Sequence, residues 1–142
     1  MPRKTIEASA IELAQSIGLL VRRVRAAAAA HELSLTEAAV LTRLDIGGPS
    51  TTADLARAEC MKPQSMGSTV AALEEQSLVE RKPHPTDGRQ LIVHITPKGR
   101  ALRIRHRDAK RTWIAGSIRA LDDADRETLF RAGDVIRRFA EK

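Results

Sequence analysis

Lys62, Gln64, Ser65, Ser68 and Thr69 interleave with the apolar residues Met66, Val70 and Leu73. Recurrence at threes and fours puts each set on its own face of a helix. The polar set then points away from the core, and its chemistry is that of recognition. A Gln amide can bond the edge of adenine with both its groups, and Ser or Thr hydroxyls serve bases or phosphates. Lys62 and the helix N-terminus suit a phosphate. A second set follows: Arg81, Lys82 and Arg89 surround Pro83-His84-Pro85-Thr86-Asp87-Gly88. Taken alone, the first set is equally the solvent face of an ordinary helix. The basic hairpin next to it favours contact with a polyanion.

Positioning these groups requires particular elements. Two β-prone runs, Leu78–Lys82 and Gln90–Ile95, flank the two prolines and the Asp87-Gly88 pair, which predicts a hairpin with a long tip. Before it, Pro63 opens a helix at the position proline tolerates best. Gly67 within that helix costs about 1 kcal/mol of propensity and fits either a close backbone approach or no role at all. A short helix capped by Thr51 precedes, with Leu55 and Ala56 inward and its end near Cys60. Before that, Ser34 and Glu37 carry a capping-box pattern. The helix they start buries Leu35, Ala38, Leu41 and Leu44 and stops at Gly47-Gly48-Pro49. Short helix, turn, helix and basic hairpin together are a winged helix-turn-helix, whose second helix enters the major groove.

Long helices flank this core. Ile6, Ala10, Leu13, Ile17, Leu20 and Val24, widened by Val21, predict a first helix that the run Ala26–Ala30 prolongs by propensity. Thr96-Pro97 begins a long helix to about Ala120, with Leu102, Trp113, Ile114, Ile118 and Leu121 apolar. A last helix from Asp122 or Asp123 carries Leu129, Ala132, Val135, Ile136 and Phe139 on one face. The fold class is mainly α with a small β-hairpin: a winged helix-turn-helix core with N- and C-terminal dimerisation helices. The segments are 1–33, 34–97 and 98–142, within one continuous domain. The outer helices carry more apolar stripe than so small a domain covers alone, and isologous pairing of two copies would bury it.

Charge is localised. The chain of 142 residues has a net charge of +6. From Cys60 to Arg111 there are 11 Lys or Arg against 5 Asp or Glu, so the whole excess sits on the reading helix, the wing and the helix after it. That is the footprint of a polyanion-binding surface. With Trp113, Phe130 and Phe139 the only aromatics, stacking platforms for single strands are absent. No apolar run is long enough to span a membrane. Met1-Pro2-Arg3-Lys4-Thr5 leads into a mixed helical pattern rather than an apolar export segment, so export is not expected. One cysteine excludes an internal disulfide framework. A cytoplasmic protein is expected, with no membrane partner.

The stretch from Leu33 to Leu102 resembles the MarR (multiple antibiotic resistance regulator) family. The resemblance rests on Leu35-Thr36-Glu37, Ala53-Asp54-Leu55-Ala56, Val70 with Leu73-Glu74, and Leu78-Val79-Glu80-Arg81. It continues through Pro83-His84-Pro85-Thr86-Asp87-Gly88-Arg89 and Ile95-Thr96-Pro97-Lys98-Gly99. It implies a homodimeric regulator of transcription, a repressor by type, whose two lobes read a palindromic operator in double-stranded DNA. It also implies release from DNA by a small aromatic or phenolic effector. Arg89 would reach a phosphate or the minor groove, and Asp87, with Gly88, would brace the wing. Ser68 and Ala72 stand where the family often has arginine, which shifts backbone contact toward the wing.

Other chemistry finds little support. Cys60 is expected to be small core packing rather than a redox sensor. His31, His84, His94 and His106 lack metal-ligand spacing, and no cofactor is expected. No phosphate loop or nucleophile motif marks an enzyme. The alternative function is a winged-helix dimer for protein–protein contact with weak DNA binding, supported only by Ser68 and Ala72. A membrane-surface role for Lys98–Arg111 is disfavoured by its thin apolar face.

Overall fold

The computed structural model describes residues 3–29 and 33–142. Helix α1 (Ile6–Ala27) leads to α2 (Leu35–Gly47), a two-residue strand β1 (Ser50–Thr51), α3 (Thr52–Ala58) and α4 (Pro63–Glu75). The wing strands β2 (Val79–Pro83) and β3 (Leu91–Ile95) follow, then α5 (Pro97–Arg119) and α6 (Asp123–Ala140). The sheet is antiparallel in the order β1-β3-β2, with Arg81 opposite Val93 and Ser50 also opposite Val93 on the other edge.

Helix starts follow local chemistry. Ser34 Oγ accepts from the Glu37 N–H while Glu37 Oε1 accepts from the Ser34 N–H, both at 3.1 Å, which completes the capping box. Thr51, Thr96 and Asp122 each accept from the backbone N–H three residues on. Gly48 ends α2 at φ 84°, a conformation that suits glycine. The core gathers Val40, Leu41 and Leu44 of α2, Leu55 and Ala56 of α3, Met66, Val70 and Leu73 of α4, and Leu78, Val79 and Val93 of the wing base. The wing is thus rooted in the same core that holds α4.

Four expectations need correcting. The alanine run does not carry α1 to Ala30. The helix ends at Ala27, and the chain turns at Ala28, which is completely buried, so packing overrides propensity. Ala30 lies outside the described residues. Leu35 is half exposed because it sits at the mouth of a groove between α2 and α5. Cys60 is exposed and adopts φ 53° in the α3–α4 turn, so it is not core packing. The strands run one residue later than expected at their starts, and β1 was not foreseen.

An ion cluster fixes the winged core to α5. Asp45 of α2 accepts from Arg100 Nε and Arg103 Nη1, each at 2.8 Å, and Arg103 is largely buried. The hydrogen bond from Arg100, with the charges of both arginines, holds the Asp45 carboxyl below its ordinary value despite opposing desolvation. A carboxyl lowered by folding stabilises above its unfolded pKa, near 3.8, and that contribution disappears as pH falls through the folded value. Asp45→Asn is therefore expected to lower stability in urea melts at neutral pH. The difference from the parent should close at strongly acid pH. A difference that persists in acid contradicts the charge assignment.

Candidate nucleic-acid interface

Helix α4 is two-faced. Met66, Val70 and Leu73 are buried, while Lys62, Gln64, Ser65 and Ser68 are exposed and Thr69 is partly covered. Lys62 is the N-cap residue and makes no side-chain cap bond, and Pro63 has no N–H, so the Gln64 and Ser65 N–H groups have no side-chain cap from Lys62. Ser68 Oγ donates to the Gln64 carbonyl at 3.2 Å and Thr69 Oγ1 to that of Ser65 at 3.1 Å. Each hydroxyl proton is thereby engaged, leaving its lone pairs outward as acceptors. Gly67 meets nothing within 4 Å of where a Cβ would lie, so no other described element packs against that side of it.

The wing tip is a braced turn. Asp87 Oδ1 accepts from the Arg89 N–H at 3.1 Å. His84 Nδ1 accepts from the Thr86 and Asp87 N–H groups, both at 3.1 Å, and the His84 N–H donates to the Gln90 carbonyl. His84 thus organises the tip, a role its sequence context does not announce except by its closeness to Pro85-Thr86-Asp87. The Arg89 guanidinium, by contrast, has no ion pair or hydrogen bond among the described residues.

The other wing cations are tied. Arg81 lies on the core-facing side of β2, and its Nε meets Glu74 of α4 at 3.2 Å, half-buried. Lys82, on the other side, pairs with Glu80 at 3.3 Å. At the wing base, Thr96 Oγ1 donates to the Ser77 carbonyl at 2.7 Å, and the Thr96 N–H donates to that of Leu78. Sequence spacing alone does not link Arg81 to Glu74. Among the described residues no cluster of His, Cys, Asp or Glu could hold a metal ion, and His31 lies outside them. No described helix is long and apolar enough to cross a membrane.

The MarR family profile matches residues 33–91, the span from α2 to the start of β3. An HTH-type transcriptional regulator of Mycobacterium tuberculosis is 32% identical over 127 residues, covering 89% of each chain. The chain belongs to the MarR family. Its fold agrees: the crystal structure of Rv1404 from Mycobacterium tuberculosis superposes with a TM-score of 0.81 at 26% identity, covering 97% of this chain and 96% of that one. A MepR-like protein complexed with pseudoligands superposes at 0.65 with 28% identity, covering 93% and 94%. The protein is thus a DNA-binding transcriptional regulator of the winged helix-turn-helix type.

Proposed function

We propose that the protein acts as a homodimeric, cytoplasmic repressor that reads a palindromic operator and is released by a small aromatic or phenolic effector. The observation that carries the operator reading is the pairing of an exposed polar α4 face with an Arg89 guanidinium that has no partner among the described residues, on a braced wing. In this reading Gln64, Ser65, Ser68 and Thr69 address base edges, Lys62 and Arg89 address phosphate or the minor groove, and Arg81 and Lys82 add charge to the wing.

Assembly is supported by surface left uncovered. No described residue of α1 or α6 is buried, and Leu13, Leu20, Leu129, Val135 and Phe139 are exposed. Such stripes are what a second copy would cover. An effector site is supported by a groove of about 1000 Å³ between α2 and α5. Leu35, Ala38, Ile46 and Ile114 give it apolar walls, and Arg103 and Lys110 stand at its side. Burial, and then the nearby charge of Arg25, lowers the Lys110 pKa. An apolar cleft with a few polar groups is the usual form of a small-molecule site.

The test is Arg89→Ala. Removing a backbone contact should weaken binding to every duplex alike and make the salt dependence shallower by about one counterion per contact. Asp87→Ala should be milder, because it loses only the brace on the Arg89 N–H. Unchanged affinity and unchanged salt slope in Arg89→Ala would show that the wing does not touch DNA.

A further inference from the structure

A cleft of about 540 Å³ separates the start of α3 from the wing. Thr52, Asp54 and Arg57 stand on one wall, and Arg81, Arg89 and Gln90 on the other. Three guanidinium groups therefore share one opening with a single carboxylate. Arg81 is held by Glu74 outside the cleft, and Arg57 is ion-paired with Asp54. The Arg89 guanidinium has no partner among the described residues. A polar cleft with surplus positive charge suits an oxyanion that offers several acceptor oxygens to planar guanidinium donors. It also lies next to the reading helix, since α3 packs on α4 and β3.

We propose that this cleft seats a phosphate of the DNA backbone, gripped by Arg57 from α3 and Arg89 from the wing. Asp54 holds Arg57 in place and yields it when the phosphate arrives. The proposal rests on the DNA reading above and extends the interface to α3. Asp54 is a charge of the same sign as the phosphate, so it opposes every duplex equally and lowers sequence-independent binding. The N-terminus of α3 is not involved, because Thr51 Oγ1 already accepts from the Asp54 N–H at 3.1 Å. The Asp54–Arg57 pair is exposed on both sides, and such pairs contribute little to folding. Changing either residue should therefore spare stability and report on binding.

The experiment is a salt titration of the full chain against a mixed-sequence duplex of about 30 base pairs, long enough for two half-sites one helical turn apart. Fluorescence anisotropy reads affinity, and circular-dichroism melts check folding. Arg57→Ala should lose on the order of tenfold in affinity near 0.1 M salt, with a slope shallower by about one per lobe bound. Arg57→Lys should recover the slope, and Asp54→Asn should bind more tightly than the parent. Parental affinity and slope in Arg57→Ala and Asp54→Asn, with Arg89→Ala still weakened, overturn the cleft and leave the wing contact standing. If Arg89→Ala is equally silent, or the parent binds no duplex, the DNA interface fails and the cleft fails with it. If Arg57→Ala does not fold, Asp54→Asn decides: absence of tightening overturns the proposal.

Discussion

Gly99→Ala should destabilise the protein by about 3 kcal/mol, at the upper end of ordinary overpacking costs. A Cβ on Gly99 would land on the carbonyl oxygen of Leu78, 3.0 Å from its carbon and 3.1 Å from Ile95 Cγ1. The obstacle is backbone, not the free end of a side chain. That backbone is also fully committed: the Leu78 N–H donates to the Leu73 carbonyl at 3.0 Å, and its carbonyl accepts from the Thr96 N–H at 3.1 Å. Relief would mean parting α5 from the wing base or breaking the junction between α4 and β2. The glycine in the Thr96-Pro97-Lys98-Gly99 run is thus explained by close approach. Urea unfolding with far-ultraviolet detection measures the effect, and a loss under about 0.5 kcal/mol would mean the junction is loosely packed.

Phe139→Asp should convert the protein to a monomer and cost about 10²–10⁴-fold in affinity for a two-half-site duplex, the avidity lost when two lobes are no longer linked. Phe139 is 53% exposed in the isolated chain, so the charge enters no core of the single subunit. In the proposed dimer it enters a shared apolar seam, where an unpaired carboxylate is costly. Sedimentation equilibrium at micromolar concentration should give twice the 15.6 kDa chain mass for the parent and once for the variant. A parent that sediments as a monomer, or a variant that stays dimeric with full affinity, contradicts the assembly.

The parts of this fold legible in the sequence are those set by neighbours along the chain. Ser34 and Glu37, Pro63, Thr96-Pro97 and Asp122 start helices through contacts a few residues long. The hairpin follows from β-prone runs around Pro83 to Gly88. What was missed depends on distant partners. Strand β1 is two residues long and exists because Ser50 and Thr51 meet Val93 and Ile92. Leu35 fits the helical stripe of α2, yet the groove beside α5 leaves it exposed. Cys60 precedes α4, but the left-handed turn there directs it to solvent. The polar face of α4 and the position of Arg89 on the tip were visible from spacing. That Arg81 would be tied to Glu74, that Arg57 would face Arg89 across a cleft, and that His84 would brace the tip required the tertiary structure.

Selection of bound duplexes from a random pool, followed by footprinting of the enriched sequence, tests the central claim most directly. A dimer reading DNA through two α4 helices should enrich a palindrome whose half-sites lie about 34–36 Å apart, one helical turn. Gln64→Ala or Ser68→Ala should then relax discrimination at one position of each half-site by roughly 1–3 kcal/mol and leave non-specific binding nearly unchanged. A pool that shows no enrichment at moderate salt would contradict sequence-specific reading by this protein.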